Sequence, residues 1–436
     1  TDMIKLYFKQ SWALIRQNKL FSSLYVLGTG LAIAMTMIIV IVYYVKIAPI
    51  YPETNRSQTM VLTSVAVKNT EQHSMTKSSC SYHMLKEWIY PLKNAEEVTA
   101  VLGRMLLGNY VQPEDGGNVI PVMVKQTDPA FFRVFPFEFL GGQAFSQADF
   151  ESGIHNVVLS ESGARRILGD TEVVGRTFSL NFEDYRVVGV VRSGSYMLSD
   201  SYADVYMPYT CITGYDRGDK MANMVGPYQV FIKLPGADDA PKLRAEIQEL
   251  VHKFNHSQPD LEIDLNNQPL PYWQYPLKQM GYSEIDWANV FKIHGWLLLA
   301  FLFVPAINLG GMISSRMEQR LSEMGIRKAF GANRSVLLGQ VLWENLALTC
   351  VGGFIGLLLS WGGLVLGRNW IFGLFNSWPV PIPEGVEVNL SPDMLFSPFV
   401  FVLAFGTCVL LNLLSAFCPA WYSLRKNIIY SINEKI

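Results

Sequence analysis

Half of the 436 residues are hydrophobic and only 17% are charged, against about 25% in an ordinary soluble domain, so a wholly soluble enzyme is disfavoured. A formal net charge of −2 argues against a nucleic-acid binder, and 25 Phe, 20 Tyr and 10 Trp exclude a disordered chain. Five Cys without a C-x-x-C pair supply neither a zinc framework nor a disulfide scaffold.

The N-terminal segment 1–23 carries Lys5, Lys9, Arg16 and Lys19 against Asp2, with Met3 as a candidate natural start. Residues 20–45 then run without one ionisable side chain. That exceeds the roughly 20 residues a helix needs to cross about 30 Å of hydrocarbon. It is too long for a signal-peptide core, and the Tyr-rich "VYYVKIAPIY" that follows suits a membrane interface. An uncleaved first span is expected at 24–45.

Residues 46–289 form a folded insert of mixed α and β elements. Strand-like runs are "TMVLTSVAV", "VIPVMVKQT", "NVVLS", "YRVVGVV" and "YQVFIKL". Asp128-Pro129 has the form of an N-cap with proline at the first helical position, opening "AFFRVF". Ser160 is placed to cap "ESGARRIL", which stops at Gly169. A longer helix, "DAPKLRAEIQELVHKFN", puts Leu243, Ile247, Leu250, Val251 and Phe254 on one face. Chemistry-bearing patterns are sparse. His252 and His256 lie one turn apart, but without a third ligand they read as polar-face residues rather than a metal site. Cys80 and Cys211 are a possible pair in an oxidising compartment, although nothing in the sequence fixes their distance. There is no catalytic motif and no G-x-x-x-x-G-K-[ST] phosphate cradle, so the chain is not expected to hydrolyse ATP.

Charge-poor runs return at 293–315, 345–367 and 394–424, giving spans at 290–313, 342–366 and 395–417. Pro305 is a candidate hinge in the second span. In the third, Gly352 and Gly356 form a G-x-x-x-G pair suited to close helix packing, the alternative being lipid-facing glycine. The N-terminal segment, the loop 314–341 and the tail 418–436 together hold 12 basic and 4 acidic residues, whereas the insert holds 21 basic and 29 acidic ones. Basic short segments stay in the cytoplasm. The insert and the short loop 367–394 are therefore expected outside. The fold class is an α+β integral membrane protein with four transmembrane helices and its large α+β domain between spans one and two.

The loop 314–341 is the most informative stretch. "SSRMEQRLSEMGIRKAFGANRSVLLGQVLWENL" carries span two onward as a charged helix through Arg320; Gly325 permits a break, and Ile326 to Phe330 form one amphipathic turn. Gly331, Ala332 and Asn333 reverse the chain. A generic positive-inside loop accounts for the Arg and Lys but not for the ordered glycines or for Ile326 and Phe330.

This stretch resembles the signature of MacB/FtsX-type ABC transporter permeases, matching it at Glu323, Gly325, Ile326, Arg327, Lys328, Ala329, Gly331 and Ala332, with Glu344 beyond. "QTDPAFFRVFPFEFLGGQAF", "VVLSESGARRILGDTEVVGRTFSLN" and "YRVVGVV" are similar to the MacB-like periplasmic core domain. The resemblance implies a permease in the bacterial inner membrane, its large domain in the periplasm. It implies cytoplasmic ATPase subunits that bind ATP and magnesium, and a second permease copy or paralogue. In the efflux branch an adaptor and an outer-membrane channel are also implied. Its expected role is to transmit ATP-driven motion to the outer domain for export or extraction of an antibiotic, peptide or lipoprotein. An FtsX-like regulator of a cell-wall hydrolase and a peptide-sensing permease are the alternatives. Residues 323 and 325–332, Phe330 included, are the expected ATPase-docking element, with Ile326 and Phe330 as apolar anchors and Arg327 and Lys328 meeting an acidic rim.

Overall fold

The computed structural model describes residues 19–103, 108–112, 118–216, 224–278, 285–374, 394 and 398–425. The first apolar run folds as one uninterrupted helix, α1 (Lys19–Ile47). Labels are given to helices of eight or more residues, and next come α2 (Glu161–Leu168) and α3 (Ala240–Ser257). The remaining four are α4 (Trp287–Gln319), α5 (Leu321–Ala329), α6 (Arg334–Leu374) and α7 (Pro398–Arg425). The chain divides into two compact units, one built from these last four helices with most of α1, the other from residues 45–286.

Among the described residues three helical stretches are long and apolar enough to cross a membrane: Ser22–Ile47, Arg334–Ile371 and Pro398–Arg425. The second charge-poor run lies in the 33-residue α4, several of whose side chains, that of Pro305 included, fall outside the described residues. Small residues set the packing of α6 on α1. A Cβ at Gly356 would lie 2.6 Å from the Gly30 carbonyl oxygen and 3.0 Å from Ile33 Cβ. One at Gly352 would lie 3.0 Å from Thr29 Cβ and 3.1 Å from the Val26 carbonyl oxygen. The Gly352/Gly356 pair is thus used inside the chain and faces α1 rather than lipid.

The other unit is a 16-stranded sheet in which one lobe interrupts another. Strands Glu97–Leu102 and Tyr228–Lys233 pair antiparallel from Glu97↔Lys233 to Leu102↔Tyr228. The residues between them make a second lobe, joined through the Val101↔Thr127 pair. Within that lobe Asn156–Ser160 runs parallel to Glu183–Val191, and Val124–Thr127 parallel to Val205–Pro208. Where the chain enters and leaves the unit, Met60↔Pro271 and Val61↔Leu270 pair antiparallel.

Local signals explain the helices. Ser160 Oγ accepts from the Gly163 N–H, and α2 ends on Gly169 in the left-handed region, as its cap residues dictate. α3 buries Leu243 and Ile247, with Leu250, Val251 and Phe254 packed against the same core. "AFFRVF" forms only one turn, Phe131–Val134, capped at Ala130 without a side-chain bond. Asp128 does lead into that turn, the Phe131 N–H bonding back to its carbonyl oxygen at 3.2 Å and to its carboxylate, but the carboxylate has distant partners as well. Its carboxylate accepts from Thr99 Oγ1 at 2.7 Å, the Ala100 N–H at 2.9 Å and the Tyr90 hydroxyl at 2.7 Å. The aromatic run fills a core instead: Phe131, Phe132, Phe135 and Phe137 are buried with Tyr206, Phe231 and Tyr272. Cys80 and Cys211 are both free thiols, the first buried and the second partly so.

Candidate functional site

The connection from α4 to α6 is a built element. α4 ends at Gln319, and the break falls at Arg320 (φ −102°, ψ 7°), not at Gly325, which is buried in the middle of a continuous α5. The earlier break exists because Arg320 is held by tertiary partners, whereas a glycine inside a helix only permits a break. After Phe330 the chain turns at Gly331 (φ +91°). The Gly331 N–H donates to the Lys328 carbonyl and the Ala332 N–H to the Arg327 carbonyl, both at 3.0 Å. This is a Schellman ending, which glycine satisfies without strain. The Asn333 carbonyl then accepts from the Val336 and Leu337 N–H groups and starts α6.

α5 has two contrasting faces. Met324 is buried with Ile313 and Met317 of α4, Leu337 and Val341 of α6, and Ala416, Ala420 and Leu424 of α7. On the other side Ile326 is 50% exposed and Phe330 89% exposed. Ala329 is exposed with them. The exposed phenylalanine thus stands at the end of a helix whose other face is packed.

The charges of α5 behave otherwise than expected. Arg327 turns back along the chain, donating from Nη2 to Glu323 Oε1 at 2.6 Å and from Nη1 to Gln340 Oε1 at 2.8 Å. Lys328 Nζ donates to the Leu424 carbonyl at 2.5 Å. Burial and the neighbouring Arg334 lower its pKa. Arg327 keeps 38% of its side chain exposed while making its bonds to Glu323 and Gln340. Arg320, Gln340 and Glu344 belong to the same polar network: Arg320 Nη1 meets Glu344 Oε2 at 2.8 Å, and Gln340 Nε2 meets Glu344 Oε1 at 3.2 Å. Sequence reading missed Arg320 and Gln340 as members, although Gln340 and Glu344 stand one turn apart on one helix face.

In the other unit the largest charged cluster is buried and internally paired. Glu53 holds the Arg56 guanidinium and accepts from Ser201 Oγ at 2.7 Å, while Arg56 stacks 4.7 Å above the Tyr272 ring. Asp200 accepts from Tyr272 OH at 3.2 Å and Gln229 Nε2 at 3.3 Å. Burial raises the Asp200 carboxyl and lowers the Lys125 ammonium. These groups join the segment entering the unit to the one leaving it and to the inserted lobe. That is structural work. His252 and His256 are exposed on α3, His256 Nδ1 lying 2.8 Å from the His252 carbonyl oxygen. Among the described residues no three His, Cys, Asp or Glu side chains are grouped to hold a metal ion.

Comparison with known proteins follows the same division of the chain. Residues 22–250 match the family model for the MacB-like periplasmic core domain, and residues 296–428 match that for the FtsX-like permease C-terminal domain. An uncharacterized ABC transporter permease of Bacillus subtilis, YknZ, is 22% identical over 312 residues, covering 72% of this chain and 71% of that protein. The macrolide export ATP-binding/permease protein MacB of Agrobacterium fabrum is 28% identical over 294 residues, covering 66% of this chain and 40% of that protein. The match therefore spans about two fifths of the MacB relative. Among solved structures, the periplasmic region of MacB from Actinobacillus actinomycetemcomitans matches at 16% identity and a TM-score of 0.33, over 46% of this chain and 88% of that one.

Proposed function

This chain belongs to the ABC transporter permeases that join a MacB-like periplasmic core domain to an FtsX-like permease domain, and on that premise we propose that it is a mechanical relay. A separate cytoplasmic ABC ATPase docks on α5 and drives the outer domain to export or extract a substrate such as an antibiotic, a peptide or a lipoprotein. The observation that carries this reading is the pair Ile326 and Phe330, exposed on a helix whose opposite face is locked into the helical unit. In this reading α4 is the second of four spans, Pro305 its hinge, and residues 46–289 lie on the periplasmic side of the bacterial inner membrane. The chain has no nucleotide site of its own; ATP and magnesium bind the partner subunit. A second permease copy or paralogue completes the transport unit, and in an efflux system an adaptor and an outer-membrane channel extend it.

The functional test is reconstitution in nanodiscs with an ABC ATPase subunit. The two are expected to form a stable complex in which hydrolysis responds to the permease, while the purified permease alone is inactive. Hydrolysis by the chain alone at a comparable rate would refute the proposal. Topology is tested with the five native cysteines replaced: an impermeant thiol reagent applied to spheroplasts should label a cysteine at Gln112 and spare one at Ser335. Labelling at Ser335 from outside would invert the assignment.

A further inference from the structure

Five side chains around α5 close into a ring. Arg320 donates to Glu344 at 2.8 Å and to Glu323 at 3.2 Å; Gln340 donates to Glu344 at 3.2 Å; Arg327 donates to Gln340 at 2.8 Å and to Glu323 at 2.6 Å. The ring holds two guanidinium groups and two carboxylates, so it is electrically balanced. It draws on three places: the break before α5, both turns of α5, and one turn of α6. Its α6 members are the most buried, Gln340 at 5% and Glu344 at 4% exposure. The ring is buried on its α6 side and half-exposed on its α5 side, where Glu323 and Arg327 keep 42% and 38% of their side chains accessible. At the buried end each bond is made against the cost of an unsatisfied polar group, so the ring stiffens the joint there. Arg320, at the break between α4 and α5, bonds to Glu323 of α5 and to the most buried member of the ring, Glu344 of α6, while Arg327 makes a second link to α6 through Gln340.

We propose that Arg320 is a positioning residue for energy coupling: through Glu344 and Glu323 it makes α5 and α6 move as one body, so that displacement of α5 reaches the membrane helices undiminished. This rests on the reading that an ABC ATPase docks on α5. Nothing in the ring touches nucleotide, and Ile326 and Phe330 point away from it into solvent. Binding and coupling are therefore separable. The anchors decide whether the ATPase is held, and the ring decides whether its motion is passed on.

The experiment uses the full chain in nanodiscs, with and without the ABC ATPase subunit, and compares Arg320→Met, Arg320→Lys and the near-isosteric Glu344→Gln. In Arg320→Met and Glu344→Gln, co-purification of the ATPase is expected to stay within about twofold of wild type while permease-dependent hydrolysis falls about tenfold. Amide hydrogen exchange in residues 321–329 should rise about tenfold while that of residues 345–366 is unchanged. Arg320→Lys, which keeps a cation beside Glu344, should recover much of the hydrolysis; simple loss of packing would not be repaired this way. Three results would overturn the proposal: unchanged exchange in α5, permease-dependent hydrolysis within about twofold of wild type in both disrupting variants, or loss of ATPase binding as complete as an anchor substitution gives. If wild type itself neither binds nor stimulates the ATPase, the functional reading fails; a rise in α5 exchange in the variants still supports the ring as the joint between α5 and α6.

Discussion

Ile326→Asp is expected to release the ATPase subunit from this permease, weakening the complex by about 30-fold or more. Truncating an apolar interface anchor costs about 2 kcal/mol or more, and aspartate adds an unpaired charge to a dry contact. Phe330→Ala should act in the same direction, because an 89% exposed ring loses nothing within the chain when it is removed. Lys328→Ala should cost less, since its ammonium is turned to the Leu424 carbonyl and is not presented to a partner. Gly331→Val tests the frame and not the anchors: at φ +91° a β-branched residue is strained, so the Schellman ending should open and Phe330 lose its position. Co-purification in nanodiscs measures all four, and membrane insertion should be normal throughout. If Ile326→Asp and Gly331→Val both bind and stimulate hydrolysis as wild type does, α5 is only a basic connector.

Glu53→Ala is expected to destabilise the unit of residues 45–286 by about 3–5 kcal/mol, because it leaves the Arg56 guanidinium buried without its nearest counter-charge. Burial is nearly complete on both sides of this pair, with side-chain exposures of 4% and 0%. Arg56 has Nε and Nη1 buried without partners, and the second anion of the cluster, Asp200, acts on it more weakly than Glu53 does. Replacing both residues together, as Glu53→Leu with Arg56→Met, should recover most of the loss, since a buried pair is often matched by apolar groups of similar volume. Denaturant unfolding of the full chain, followed by protease sensitivity of residues 45–286, separates the two variants. Equal destabilisation by the single and double substitutions would mean that Glu53 acts through packing and not through charge.

The legible parts of this fold are those whose causes lie close together in sequence. Ser160 and Gly169 bracket α2 because both caps bond to residues within one turn. The buried face of α3 follows from its own periodicity. Asp128 is legible only in part: its bonds from Phe131 are those of a helix start, but Thr99 and Ala100, 29 and 28 residues earlier, also take its carboxylate. Gly325 misleads, since the break belongs to Arg320 and its partner Glu344 is 24 residues away. The element 321–332 is legible as a motif, and Ile326 and Phe330 are exposed on it. The inward turn of Arg327 and Lys328 is not legible, because Gln340 and the Leu424 carbonyl become their neighbours only once the helices have packed. That Gly352 and Gly356 pack against α1 depends in the same way on residues more than 300 positions distant.

The two-residue pairing of Met60 with Pro271 and Val61 with Leu270 places the segments entering at residue 45 and leaving at residue 286 at the same end of one short antiparallel ladder. Equal pulls on the two segments load that ladder in common and do not shear its bonds. Unequal pulls load it in shear, where the Arg56 stack on Tyr272 and the pairing of Thr59–Leu62 with Val230–Lys233 share the load. A difference between the two tethers, and not their common pull, is what these contacts bear.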